Sequence, residues 1–233
     1  MSNEAPDKPV TENARIRLLT AALHIIRGKG YGATTVDELC AAAGVTKGAF
    51  FHHFKSKEAL GVAAAQYWSQ MTGGLFAGAP YHQPADPLAR LLAYIDFRSE
   101  LIDGPVEGFT CLVGTMVQEV FGSSPAIRDA CADSIFGHAA TLEEDIALAM
   151  QRYGTPLGLS AADLARHTQA VLQGGFILAK AAGEPEAARA VARETAAHLK
   201  RYVQLLFPTY RPQDAATPQD PPTDTQQQSP QGA

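Results

Sequence analysis

The segment Thr34–Lys57, reading TTVDELCAAAGVTKGAFFHHFKSK, constrains this chain more than any other. It holds two short apolar-periodic stretches around a single glycine, each opened by a threonine. Thr35 and Glu38 stand at capping-box spacing, where the hydroxyl accepts the Glu38 N–H and the carboxylate reaches back to the cap. Val36, Leu39 and Ala43 then fall on one helical face. Gly44 suits the tight exit, because such a turn needs positive φ. Val45 packs inward, Thr46 caps a third helix over about Lys47–His53, and Ser56 caps a fourth. Two helices joined this way form a helix-turn-helix, whose second helix can enter a DNA major groove.

The flanks agree with that layout. Ile16, Leu19, Leu23 and Ile26 recur at steps of three and four, so Glu12–Arg27 reads as a helix stopped by Gly28 and Gly30. Phe50 and Phe54 are spaced to pack inward. Thr46, Lys47, Phe51, His52 and His53 then face out, and Gly48 and Ala49 leave the third helix free to lie close to a duplex. Between Gly44 and Lys57 stand three lysines and no acid. Residues 1–60 carry net charge +2 and the rest −7, for a total of −5. A basic head on an acidic body places DNA affinity locally. Short amphipathic helices around glycine turns also pack without touching DNA, so spacing alone leaves both readings.

At this point a family resemblance adds to the pattern. Over Thr11–Gly61 the residues Arg15-x-x-Leu18-Leu19-x-Ala21-Ala22, Gly30-Tyr31-x-Ala33-Thr34-Thr35-Val36-x-x-Leu39, Ala42-Ala43-Gly44-Val45, Lys47-Gly48-Ala49-Phe50-Phe51-His52-His53-Phe54 and Ser56-Lys57-Glu58-Ala59-Leu60 resemble the N-terminal domain of TetR-family transcriptional regulators. The resemblance implies an all-helical homodimer that binds double-stranded operator DNA through three N-terminal helices. It also implies a divergent C-terminal domain that binds an effector. Carried onto this chain, the DNA-binding set is Arg15, Thr34, Thr35, Thr46, Lys47, Gly48, Ala49, Phe51, His52, His53 and Lys57. The family often has Tyr where Phe51 stands. A phenylalanine cannot give the phosphate that hydroxyl bond, so Thr34, Thr46, Lys47, His52, His53 and Lys57 are the expected backbone contacts.

The remainder reads as a helical body, which makes the fold class all-α with about nine helices. The expected domains are a disordered N-terminus at 1–10, the DNA-binding head at 11–60, a ligand-binding and dimerisation domain at 61–207, and a disordered tail at 208–233. That tail holds six prolines and six glutamines and offers too little apolar surface to offset its ordering entropy. Beyond the head, helices are expected over Ser56–Leu75, Pro87–Ile102, Phe109–Phe121, Ala126–Tyr153, Ser160–Ala182 and Pro185–Phe207. The last pair carries the apolar stripes Leu164, Val171, Leu172, Phe176, Leu178 and Val191, Leu199, Tyr202, Val203, Leu206. They either form a dimer interface or close a monomeric core. Gly174 and Gly175 sit mid-helix, where each glycine costs about 1 kcal/mol against alanine, and a close helix approach accounts for that.

Two switches fit the body. Cys111, in Glu107-Gly108-Phe109-Thr110-Cys111-Leu112-Val113-Gly114, lies near a helix start, which favours a thiolate. The stretch resembles, more weakly, the electrophile-sensing branch of the family. There a sensing cysteine can pair with a lysine on the penultimate helix, and Lys180 is the counterpart. A lone cysteine among apolar residues is also ordinary packing. The other switch is a small-molecule effector in a pocket of Trp68, Tyr94, Phe97, Met116, Phe121, Phe136 and His138, residues that equally suit a core.

Other classes find little footing. No phosphate loop or dinucleotide fingerprint is present, and a cysteine-dependent enzyme can be written down but has no local motif. No Cys/His spacing suits zinc, so neither a metal nor a cofactor is expected. Three scattered cysteines point to reduced thiols. No signal peptide or membrane-length apolar run is seen, so a cytoplasmic protein is expected. The expected function is that of a one-component repressor that binds a pseudo-palindromic operator as a dimer and is released by an effector or by thiol modification; an activator is the alternative, since the sequence does not place the operator.

Overall fold

The structure, a computed structural model, describes residues 13–155 and 158–212. Over those residues it is helical throughout, with eleven α-helices, one 3-10 turn and no strand. The head comprises α1 (Ala14–Lys29), α2 (Val36–Ala43) and α3 (Lys47–His53). α4 (Lys57–Ala77) leads from it into the body. There follow α5 (Pro87–Glu100), α6 (Val106–Phe109), α7 (Leu112–Val120), α8 (Pro125–Ala140), α9 (Glu143–Tyr153), α10 (Ala161–Ala182) and α11 (Pro185–Leu206).

Two helices exceed the expected nine, each for a local reason. The run expected as one helix over Ala126–Tyr153 divides at Thr141–Leu142. There the Thr141 and Leu142 N–H groups donate to His138 O and Ala139 O, at 3.3 and 3.0 Å, closing a tighter turn. The Thr141 hydroxyl also donates to His138 O, and Leu142 turns inward. Glu143, Glu144 and Asp145 then fill the first turn of α9, where negative charge favours a helix start. The helix expected from Phe109 instead begins at Leu112. Gly104 (φ +70°) and Pro105 fold the chain into the single turn of α6, and Cys111 caps α7.

Three buried clusters hold the molecule together. The first joins the head to the body: Leu18, Leu19, Ile26, Leu39, Phe50 and Phe54 share one apolar cluster with Leu60, Leu112, Met116, Ile127 and Cys131. The second binds α5, α9, α10 and α11 around Tyr94, Leu172, Leu199 and Val203. The third is a small seam of α6 against α10 and α11, with Phe109, Phe176 and Ala192.

Within α10, the two mid-helix glycines part company. A Cβ on Gly175 would stand 3.1 Å from the Thr195 side chain, so this glycine permits close packing of α10 on α11 inside one chain. Gly174 faces open space. Of the apolar stripes on the last two helices, Leu164, Leu172, Phe176, Leu199 and Val203 are spent on the chain's own core. Leu178 and Tyr202 stay exposed, together with Ile177 and Leu205.

The terminus expected as disordered at 1–10 lies outside the described residues. So does most of the tail. Its first residues, 208–212, lie on the body, where Thr209 Oγ1 donates to Tyr153 O at 3.3 Å and Tyr210 stacks edge-on against Tyr153. No described helix is long and apolar enough to cross a membrane.

Candidate functional site

In the head, short-range hydrogen bonds set the geometry. Thr35 Oγ1 accepts the Glu38 N–H at 3.2 Å, and the Glu38 carboxylate accepts the Thr35 N–H at 2.9 Å. Lys29 and Thr35 together hold the Glu38 carboxyl down to about 2, so this cap stays ionised at any physiological pH. Gly44 takes the left-handed conformation at φ +60°, and Val45 N–H closes the turn on Cys40 O at 2.9 Å. Thr46 Oγ1 then accepts the Ala49 N–H at 3.1 Å and opens α3.

α3 is divided cleanly. Phe50 is fully buried and Phe54 nearly so. Thr46, Lys47, Gly48, Phe51 and His52 are exposed, with Phe51 54% accessible, while Ala49 and His53 are half-buried. Lys47 Nζ lies 2.7 Å from Asp37 on α2, a hydrogen-bonded pairing that raises the lysine's pKa. An exposed pair of this kind is weak enough for a phosphate to displace.

Not every expected contact residue lies on this face. Thr34 is a correction: it is buried, and its hydroxyl donates to Gly30 O at 2.6 Å. Two adjacent threonines preceded α2, and Thr35 took the cap while Thr34 turned inward. The Thr35 hydroxyl is committed to Glu38. Arg15 stacks its guanidinium 5.5 Å above the Phe54 ring. Lys57 donates to Gly32 O at 3.2 Å and sits 4.4 Å from the Tyr31 ring centroid. Arg17, absent from the expected set, is exposed and reaches the α2–α3 turn, with Nη1 3.6 Å from where a Gly44 Cβ would stand.

A partly open cavity of about 270 Å3 lies among α4, α5, α6, α7, α8 and α10, with Arg27 of α1 at its edge. Of the residues expected to line a pocket, Trp68 and His138 do so. Tyr94 stands behind the wall, fully buried. Phe97 stacks on Phe76 and Tyr81. Met116 belongs to the head-side core. Phe121 and Phe136 point outward, 64% and 60% exposed. The helical period explains both: Phe136 is two residues from His138 and so falls on the opposite face of α8, and Phe121 follows directly on Val120, off the Leu112–Met116–Val120 stripe.

The sequence reading missed Arg98, Gln169, Phe76, Phe109 and Phe176 on the wall. For Arg98 a signal existed. It falls three residues after Ile95 and seven after Leu91, a charge placed in an apolar stripe.

Tyr94 organises the polar side of the cavity. Its hydroxyl accepts from Arg98 Nη1 and from Gln169 Nε2, both at 2.9 Å, and donates to His138 Nε2 at 2.9 Å. Burial, then the charge of Arg98, push the His138 imidazole down to about 4, so it is neutral at pH 7. In the unfolded chain it titrates near 6.5. The unfolded state therefore takes up a proton that the folded state refuses. Stability is whole above about pH 6.5 and falls as pH drops toward 4, by roughly 3 kcal/mol. Urea denaturation at pH 7 and pH 4 should show that much extra acid loss in wild type over His138→Gln. Equal losses would remove His138 as the cause.

Cys111 lies on the same wall. It is half-buried, and its Sγ accepts the Gly114 N–H at 3.4 Å as the cap of α7. It also borders a crevice of about 20 Å3 shared with Lys180, whose Nζ donates to Thr115 Oγ1 at 2.7 Å. Burial lowers the Lys180 pKa, with Glu119 and Cys111 opposing. Cys40 and Cys131 are buried, and burial pushes the Cys131 thiol up to about 12. That leaves Cys111 as the accessible cysteine of the three. Among the described residues no group of three His, Cys, Asp or Glu side chains could hold a metal ion.

Two straps tie this region to the head. Arg27 on α1 donates to Gly108 O at 3.1 Å and Thr110 O at 3.4 Å, beside Cys111, and its guanidinium lies 5.1 Å from the Trp68 ring centroid. Glu119 on α7 accepts the N–H groups of Tyr31 and Gly32, at 3.0 and 2.7 Å, in the α1–α2 turn.

Known proteins share both halves of this arrangement. Residues 18–64 match the model of bacterial regulatory proteins of the tetR family, and residues 87–195 match the tetracyclin repressor-like C-terminal domain. The transcriptional regulator AcuR of Cereibacter sphaeroides is 34% identical over 118 residues, 50% of this chain and 52% of AcuR. The transcriptional repressor DhaR of Mycobacterium sp. is 30% identical over 114 residues, 49% of this chain and 56% of DhaR. The chain thus spans about half the length of these curated relatives. The crystal structure of reduced Escherichia coli NemR superposes with a TM-score of 0.66 at 22% identity, covering 84% of this chain and 98% of NemR. At that identity the likeness is one of fold. With one family model on the capped helices of the head and a second on the cavity-bearing bundle, in the same order along the chain, this protein belongs to the TetR family of bacterial regulatory proteins.

Proposed function

We propose that the protein is a one-component transcriptional repressor that binds a pseudo-palindromic operator as a homodimer and lets go when an effector enters the body. The observation that carries this reading is α3: a seven-residue helix pinned by Phe50, with Thr46, Lys47, Phe51 and His52 turned outward and no acid within the helix itself. Such a surface suits phosphate contact at the helix start and base contact beyond it. The exposed Ile177, Leu178, Tyr202 and Leu205 on α10 and α11 are the surface that a second copy would cover, and two heads so joined would read half-sites about one DNA turn apart. The effector site is the cavity, with Cys111 on its wall as the thiol that an electrophile would reach.

The test is fluorescence anisotropy with duplex from the gene's own upstream region, and with a selected random pool, across a salt series. Saturable binding that weakens steeply with salt is expected; a protein that retains no duplex from the pool is not a DNA-binding repressor. For the thiol switch, alkylating wild type should release the duplex while Cys111→Ser stays bound. Release from both proteins alike would assign the switch elsewhere.

A further inference from the structure

The strongest unexplained feature of the cavity is a cation without an anion. Arg98 is 9% exposed and lines the cavity. Two half-buried arginines of the body are matched by acids, Arg90 at 2.5 Å from Asp145 and Arg152 at 2.9 Å from Asp86, while half-buried Arg189 donates to the Gly104 carbonyl. Among the described residues no aspartate or glutamate pairs with Arg98. Its partners are neutral. Nη1 donates to the Tyr94 hydroxyl at 2.9 Å and stands 3.4 Å from His138 Nε2, a nitrogen that already receives the Tyr94 hydrogen.

A guanidinium carries five N–H donors in a planar fork, and these contacts occupy one end of it. The rings of Phe76 and Phe176, 5.4 and 5.7 Å away, offset part of the cost of burying the charge. They supply no acceptor for the remaining N–H groups. The rest of the wall offers only the neutral oxygens of Thr72, Ser134, Gln169 and Gln173; it contains no Asp or Glu and brings a second guanidinium, that of Arg27. Burying a cation without a counter-ion is expensive, and a fork held in place by Tyr94 is matched in shape to a carboxylate.

We infer that the cavity is built for a small organic carboxylate, its anionic end on the Arg98 fork and its apolar body between Trp68, Phe76, Phe109 and Phe176. This rests on the effector reading of the same cavity. The volume of about 270 Å3 lies just below the range that takes drug-sized ligands, so the ligand is a short-chain or single-ring acid.

The chain holds a single tryptophan, and Trp68 lines the cavity, so intrinsic fluorescence reports occupancy directly. The reduced full-length protein is titrated with benzoate and hexanoate, and with benzamide and hexanamide as neutral isosteres. The acids should bind saturably and at least roughly ten-fold more tightly than the amides. Arg98→Gln should erase that preference, and Arg98→Lys should keep part of it. Equal affinity for acid and amide, or no binding of either acid, overturns the inference. If Arg98→Gln does not fold, the acid-to-amide ratio in wild type decides alone. Duplex binding is measured on the same preparation: a protein that binds duplex and neither acid loses the carboxylate inference and keeps the repressor, whereas one that binds the acids and no duplex does the reverse.

Discussion

Phe50→Ala is expected to destabilise the protein by about 3–5 kcal/mol and to abolish operator binding with it. The ring is fully buried in the cluster that contains Leu18, Leu39 and Leu60, and packs 5.8 Å from Phe54. α3 has only seven residues, too few to persist on helix propensity alone, so its order comes from this ring, from Phe54 and from the Thr46 cap. Removing the ring leaves a cavity under the helix proposed to meet DNA. Urea unfolding gives the magnitude, and hydrogen exchange should show the α3 amides opening first. Phe51→Ala is the internal comparison. Its ring is more than half exposed, so stability should change by no more than about 0.5 kcal/mol while operator affinity falls. A Phe50→Ala protein as stable as wild type would mean that α3 is held by something other than its own core ring.

Lys47→Glu should weaken operator binding on the order of a hundred-fold, acting twice in a dimer, and reduce the salt slope by about one per protomer. The side chain stands at the first position of α3 beside the Thr46 cap, where, on the proposed reading, ammonium and helix N-terminus would address the same phosphate. Reversal places a carboxylate there and next to Asp37. The Lys47–Asp37 pair is exposed on both sides, so the melting temperature should hardly move. A salt titration by anisotropy beside a thermal melt separates the two readouts. Unchanged affinity would remove Lys47 from the interface and shift attention to Arg17.

The features legible in the sequence were those whose physics closes within four residues. The Thr35–Glu38 box, the Thr46 and Ser56 caps and the Gly44 turn each need only their own neighbours, and each stands in the structure. What resisted reading depended on distant partners. Nothing around Gly175 names Thr195 as the side chain it admits. The break at Thr141 follows from burying Leu142 on another helix. The cavity wall draws on residues from Arg27 to Phe176, and an aromatic list could not separate Trp68 from Phe121 without knowing which face of each helix was already taken. Arg98 was visible as a misplaced charge, but its lack of a carboxylate is a property of the packed body.

The apolar cluster that runs from Leu18 and Phe50 through Leu112 and Met116 to Cys131 bears on how such proteins can be re-engineered. A head whose core is completed by body side chains is not an interchangeable cassette. Cut at residue 60 and grafted onto another body, it would turn the body-facing side of α1 to whatever that body presents, and it would lose Glu119 from its α1–α2 turn. A workable chimera would cut in space, carrying α7 and the first half of α8 along with the head, so that new specificity for DNA is bought without reopening the shared core.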